Sequence, residues 1–211
     1  MTERAMILDQ VRRALGRTAG QAPAPAPPPR FRIPELSVEA RIESLFCQLD
    51  KLGGKTCLAG SAAEAREYVA GLIGTKPAVA SNASLLKECG ICELGSVQSG
   101  FTDRDKLRAA CAEAEFGITG ADWALADTGS LVLLSSPAEA RLISLLPPVH
   151  IALVPRSRIL TGLDELLSTV PRPAELSSSM VLITGPSRTA DIEQILVRGV
   201  HGPGEIHVVV V

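Results

Sequence analysis

Residues 180–203 read MVLITGPSRTADIEQILVRGVHGP. The run Met180–Thr184 is apolar and rich in β-branched side chains, the pattern of a strand buried on both faces. It breaks at Gly185-Pro186-Ser187-Arg188-Thr189, a turn of small polar residues. Beyond it Ile192, Ile195 and Leu196 stand at helical spacing, and Gly199 is placed to end that helix. The unit expected is strand, tight loop, helix. Such a loop aims free backbone N–H groups and a positive dipole end at whatever lies beyond the strand tip. Ser187 and Thr189 add hydroxyls, and Arg188 adds a planar two-pronged donor, so the loop suits a carboxylate or phosphate. The same hydroxyls serve equally well as a plain helix cap. His201-Gly202-Pro203 then sets a titratable ring in a turn before a closing strand, Ile206–Val211.

Upstream, residues 116–135 read FGITGADWALADTGSLVLLS. Phe116–Thr119 is one strand. Trp123–Ala126 and Leu131–Leu134 are two more, joined by a tight turn at Asp127-Thr128-Gly129-Ser130. The turn is either a plain hairpin or a second strand-tip loop facing the same cleft as residues 185–189. Ser136, Pro137 and Glu139 form a helix-start signature that carries Arg141 toward Leu145, where Pro147-Pro148 stop it. His150 opens the apolar strand His150–Val154, and Thr161 starts a helix over 162–170.

Towards the N-terminus, Ser37 caps a helix whose apolar face includes Val38, Ile42, Leu45 and Leu49. Thr56–Ala59 is a short strand. Ser61 and Glu64 form a capping box for Ala62–Ile73. Ala78–Ser81 is a strand, Asn82 caps a helix to Glu88, and Thr102 starts a helix over 103–113. Helices and short apolar strands alternate, which predicts an α/β fold: an open, mostly parallel sheet with helices on both faces. Ligands of such sheets lie beyond the carboxyl ends of the strands. Residues 3–15 form a separate helical arm, followed by QAPAPAPPPR at 21–30, a half-proline extended spacer. The domain plan is therefore 1–35, helix and linker, and 36–211, the α/β domain.

Hydrophobic residues are 46% of the chain and aromatics 3%, so the core rests on Ala, Val, Leu and Ile. A net charge of −2, with no dense basic patch, argues against nucleic acid and anionic membranes as partners. No apolar run reaches membrane-span length and no export signal shows, which points to the cytoplasm. The five cysteines are then read as reduced thiols. Cys89-Gly90-Ile91-Cys92 lacks the further ligands a zinc or cluster site needs, so no metal site is expected.

Three blocks together carry a resemblance: GITGADWALADTGSLVLL (117–134), RLISLLPPVHIALV (141–154) and ITGPSRTADIEQILVRGVHGPGEIHVVVV (183–211). The chain resembles the LUD-domain family of lactate-utilisation proteins over residues 36–211. That resemblance implies a NagB/RpiA/CoA-transferase-like fold. It also implies a part in oxidising L-lactate to pyruvate with two iron–sulfur-type partner proteins. The chain has neither a run of cluster-binding cysteines nor a dinucleotide fingerprint. It is therefore expected to bind no cofactor of its own, with the iron–sulfur clusters on the partners. Family motif positions carried over give a candidate site. His201, His150 and Asp127 are its catalytic candidates. Thr128, Gly129, Ser130, Arg141, Gly185, Pro186, Ser187, Arg188, Thr189, Asp191 and Glu193 are its ligand-binding candidates, for a small carboxylate. Two other functions fit the residues. One is a stand-alone isomerase or acyl-transfer enzyme holding a sugar phosphate or CoA ester, with Asp127 or Glu193 as base or nucleophile. The other is an architectural or regulatory subunit that docks through its N-terminal arm.

Overall fold

Short polar side chains set where the helices begin. In the computed structural model, which describes residues 3–18, 20–22, 33–170, 177–190 and 194–211, Ser37 Oγ accepts the Ala40 amide and opens α2, Val38–Lys51. Ser61 does the same for the Glu64 amide at α3, Ala62–Ile73. Asp103, not Thr102, caps the later helix Arg104–Glu113, accepting the amides of Asp105 and Lys106. Asn82 caps nothing: its side chain bridges Gly100 N and Phe101 O, and the short helix Ser84–Glu88 (α4) starts without it. The chain divides into two compact units, Met1–Phe31 and Arg32–Val211. The first contains helix α1, Glu3–Ala14, with Met6, Ile7 and Val11 exposed. Most of the expected proline spacer lies outside the described residues.

The second unit is built on a six-stranded, fully parallel sheet in the order β1-β12-β7-β4-β2-β3. Its strands are β1 Lys55–Leu58, β2 Ala78–Ala80, β3 Val97–Gln98, β4 Phe116–Gly120, β7 Val149–Val154 and β12 Glu205–Val210. The middle strands are buried on both faces, as their continuous Val, Ile, Leu and Ala content requires. On one face Val69 and Ile73 of α3 and Leu86 of α4 pack on Ile118, Ile151, Leu153 and Val209. On the other, Leu45 and Leu49 of α2 meet Ala152, Val154, Val208 and Val210. Helix α5, Arg104–Glu113, lays Cys111 beside Val79.

A second, four-stranded sheet lies with α2, in the order β8-β5-β6-β9. Its strands are β5 Trp123–Leu125, β6 Ser130–Leu134, β8 Ile159–Leu160 and β9 Met180–Thr184. The expected hairpin is present as antiparallel β5–β6. The outer face of this sheet carries Trp123, Leu125 and Val132 against Leu166 of α6, Leu163–Thr169. Arg41 of α2 fastens the two layers, donating to Ile159 O at 3.1 Å and to Glu165 Oε1 at 3.2 Å.

Three expectations give way here. Among the described residues strand β9 is an edge strand paired only with β6, and it is half-exposed, not buried on both faces. No helix follows residues 185–189 among the described residues. Arg188–Thr189 (β10) pair antiparallel with Val197–Arg198 (β11) instead. Ile195 and Leu196 are about 60% exposed, so a helix there has no core on which to bury its apolar face, and packing is what sustains short helices. Finally, Ser136 Oγ accepts the Ala138 and Glu139 amides, yet the helix they announce does not form. The segment runs as successive turns to Leu146. It is drawn flat over β4: a Cβ on Gly117 would stand 1.9 Å from Ile143 O, so only glycine lets the two backbones meet.

Candidate functional site

Several sequence candidates converge near the amino ends of β7 and β12. Arg141 and Ser144 come from the turns over β4, His150 from β7, Gly185 and Ser187 from the loop after β9, and His201 and Pro203 from the turn before β12. They line a cavity of about 150 Å³. A dry cavity of that size holds benzene, so about six non-hydrogen atoms fit.

Two features give the cavity its chemistry. Arg141 is partly buried, and its Nη1 donates to Ser144 Oγ at 2.7 Å. Among the described residues no carboxylate pairs with it, and burial lowers its pKa. His150 is fully buried, with Nε2 at 2.8 Å from Thr119 Oγ1 and with Nδ1 lacking a partner among the described residues. Burial, with Arg141 adding to it, pushes the imidazole pKa down to about 3, so the ring is neutral. A half-buried cation without a counter-ion beside an unpaired neutral imidazole fits an anion that also offers a hydrogen-bonding oxygen. His201 stands at the exposed mouth.

The loop after β9 contributes walls rather than a cradle of amides. Gly185 has φ +72°, and a Cβ there would meet Leu52 Cβ at 2.8 Å, so glycine is required for the turn. Ser187 N is already spent on Pro203 O, at 2.8 Å. Pro186 follows Gly185 in the turn and is not a cavity wall. Arg188 turns away: its Nη2 donates to Leu52 O at the end of α2. Thr189 is buried in β10. Asp191 and Glu193 lie outside the described residues.

The Asp127–Ser130 turn is a separate construction. Ser130 Oγ bonds Thr184 Oγ1 at 2.7 Å and Thr128 Oγ1 at 2.9 Å, tying β6 to β9. Gly129 packs on α2, where a Cβ would stand 3.0 Å from Gln48 Cβ. Asp127 is exposed and rests on Gly162, in a neighbouring cavity with Thr161 and Asp164. None of these four residues lines the Arg141 cavity.

Sequence reasoning missed several polar groups. Thr119 and Ser144 hold His150 and Arg141, and both sit in apolar runs as buried hydroxyls. His207 was passed over inside the closing strand. Its Nδ1 is 2.8 Å from Tyr68 Oη, and its Nε2 is 2.8 Å from Glu205 Oε1, which also meets Lys55 Nζ. A polar residue inside an otherwise continuous apolar strand is the signal that would have flagged His207. The five cysteines are free thiols; Cys89 of the C-x-x-C is buried, and burial raises its pKa. Among the described residues no three His, Cys, Asp or Glu side chains are placed to hold a metal. No helix among them is long and apolar enough to cross a membrane.

A parallel α/β sheet with a small, cation-bearing cavity at its strand ends is the class of protein so defined. The LUD-domain model matches residues 42–211, and the chain belongs to that family. It is similar to lactate utilization protein C of Halalkalibacterium halodurans, 40% identical over 106 residues, covering 48% of this chain and 46% of that one. Its likeness to lactate utilization protein C of Bacillus subtilis (strain 168) is 42% over 95 residues, 43% of this chain and 40% of that one. The matches thus span less than half the length of these two relatives. The protein YkgG of Escherichia coli (strain K12) is 29% identical over 220 residues, covering 96% of this chain and 95% of its own. A crystal structure of a DUF162 family protein from Deinococcus radiodurans shares the fold. Its TM-score is 0.63 at 21% identity, over 83% of this chain and 99% of that one.

Proposed function

We propose that this LUD-domain chain serves lactate utilisation, as the names of its relatives suggest, by binding a small 2-hydroxy or 2-oxo carboxylate in the Arg141 cavity. The observation that carries the reading is the half-buried Arg141, without a carboxylate partner among the described residues, lining one cavity with a neutral His150 whose Nδ1 is unpaired among them. Lactate and pyruvate have six non-hydrogen atoms each, which matches the space. Arg141 takes the carboxylate, and His150 Nδ1 bonds the second oxygen function. With so low a pKa His150 orients rather than accepts a proton, so His201 at the mouth is the group that carries the hydroxyl proton away. Turning a 2-hydroxy acid into a 2-oxo acid breaks the O–H bond, whose proton His201 takes, and the Cα–H bond, whose hydrogen leaves with both electrons as a hydride equivalent. That equivalent passes to an acceptor on the partners, for which the family resemblance suggests two iron–sulfur proteins.

Calorimetry with lactate and pyruvate tests the pocket. Arg141→Ala is expected to weaken binding by about 2 kcal/mol, roughly thirtyfold. Arg188→Ala should leave it unchanged, because that guanidinium caps α2. Equal affinity in wild type and Arg141→Ala, or no binding of either acid, rejects the reading.

A further inference from the structure

The direction of the chain reverses between β2 and β4. From β2 it moves outward to the edge strand β3, and from β4 it moves the other way, through β7 to β12. In an open parallel sheet the carboxyl ends at such a reversal part to form a crevice where ligands bind. A cavity of about 380 Å³ lies there, between Ser84 after β2 and Gly120–Trp123 at the end of β4, with Glu139 and Arg158 on its walls. By the same scale as before it holds about fifteen non-hydrogen atoms. This is the opposite end of the sheet from the Arg141 cavity.

One side chain in this crevice has no structural explanation. Glu139 is only 8% exposed, and among the described residues neither of its carboxyl oxygens has a hydrogen-bond partner. Ser81 and the Gly120 amide lie close and partly offset its burial, without reaching hydrogen-bond geometry. A buried carboxyl left in this state weakens the fold, and an apolar residue of similar size would not. The other charged groups facing the crevice are accounted for. Asp122 Oδ2 accepts the Leu134 amide at 2.6 Å, and the Arg158 guanidinium lies 5.5 Å from the centre of the Trp123 ring. Two free oxygens on one carboxylate are complementary to a pair of adjacent donors, the geometry that makes fork-type pairs strong.

We propose that the crevice between the ends of β2 and β4 is a second ligand site. It takes a small molecule that presents two adjacent hydrogen-bond donors to Glu139, either the N–H pair of an amidine edge or the O–H pair of a vicinal diol. Both sources favour the ionised carboxylate, so affinity rises between pH 6 and 8, by up to tenfold per unit.

The test is a chemical-shift titration of the full chain with benzamidine for the amidine arm and ribose for the diol arm. Methyl 2-deoxyribofuranoside, locked in a ring form that carries no vicinal diol, is the control. The result expected is saturable shifts at Ser84, Gly120 and the Trp123 indole from one of the two arms. Glu139→Gln should weaken that binding at least tenfold, and Arg141→Ala should leave it unchanged. Glu139→Asp, which withdraws the charge by one methylene, provides a second variant with the same expected loss should the glutamine form not fold. No saturable shifts from either probe, or equal affinity in a folded Glu139 variant, overturns the proposal. Either result leaves the Arg141 reading to stand or fall separately.

Discussion

His150 and Glu139 are both buried, and burial acts on them in opposite senses. It drives the His150 pKa from 6.5 down to about 3, with Arg141 adding to the effect. It lifts the Glu139 pKa from 4.5 to about 7, with Ser81 opposing and Asp122 assisting. As pH falls below 6.5 the unfolded His150 takes up a proton that the native ring refuses, so acid weakens the fold. As pH rises above 4.5 the unfolded Glu139 loses a proton that the native carboxyl keeps, so base weakens the fold. From pH 4.5 to 6.5 the two slopes, each at most about 1.4 kcal/mol per unit, oppose one another. Urea melts of variants should separate them. Relative to wild type, Glu139→Gln should gain stability steadily as pH is raised through that window, reaching about 2–3 kcal/mol by pH 8. His150→Gln should show the reverse trend, gaining as pH is lowered. Parallel pH curves for wild type and either variant would mean that group is not buried as described. Neither shift was readable in the sequence, where Glu139 passes for a helix-start residue and His150 for a strand-edge histidine. Burial depends on which distant segments cover a residue, and one-dimensional spacing does not contain that. The same limit put Arg188 in the anion pocket and left Arg141 as its alternate: both lie beside loops, and only the packing decides which faces inward.

At the scale of elements, local signals performed well where the element makes its own boundary. The caps at Ser37 and Ser61 lie where short-range chemistry puts them. They failed where a neighbouring element overrules them. The turns at 136–146 carry a satisfied cap at Ser136 yet lie flat, because the Ile143 carbonyl seats on Gly117. Gly117→Ala should force these backbones apart and cost about 2–3 kcal/mol, seen as a lower urea midpoint. Because the same turns carry Arg141, that variant should also lose carboxylate affinity at temperatures where it remains folded. Unchanged stability would show that the contact relaxes freely.

For the molecule as a whole, the alternation of helix and strand was enough to foresee the parallel sheet. It was not enough to foresee that β9 joins a second, mixed sheet, since pairing partners of short apolar strands are chosen by topology rather than by composition. That choice moved the loop at 185–189 to the amino ends of the main strands and left the carboxyl-end crevice to Glu139. Strands of this length hold the two cavities roughly 15–20 Å apart. Ligands bound in them should therefore raise the melting temperature additively, with neither altering the affinity of the other. Mutual exclusion of lactate and a Glu139 ligand would place both in one site. The thiols report on the same packing: Cys47 is exposed, whereas burial lifts Cys111 to about 11. A thiol reagent at neutral pH should label Cys47 first and reach Cys111 only on unfolding.

The wall between the Arg141 cavity and solvent includes Ser187 and the 201–203 turn, joined by the amide of Ser187 to Pro203 O and of Gly199 to Ser187 O. Behind them stands a ribbon of just two residue pairs, β10 with β11. So small a ribbon is among the first parts of a fold to fray. Loosening of that rim should therefore widen the mouth of the cavity without any hinged domain. Deuterium should enter the Ser187 and Gly199 amides far sooner than those of β7, and a bound acid should slow that uptake.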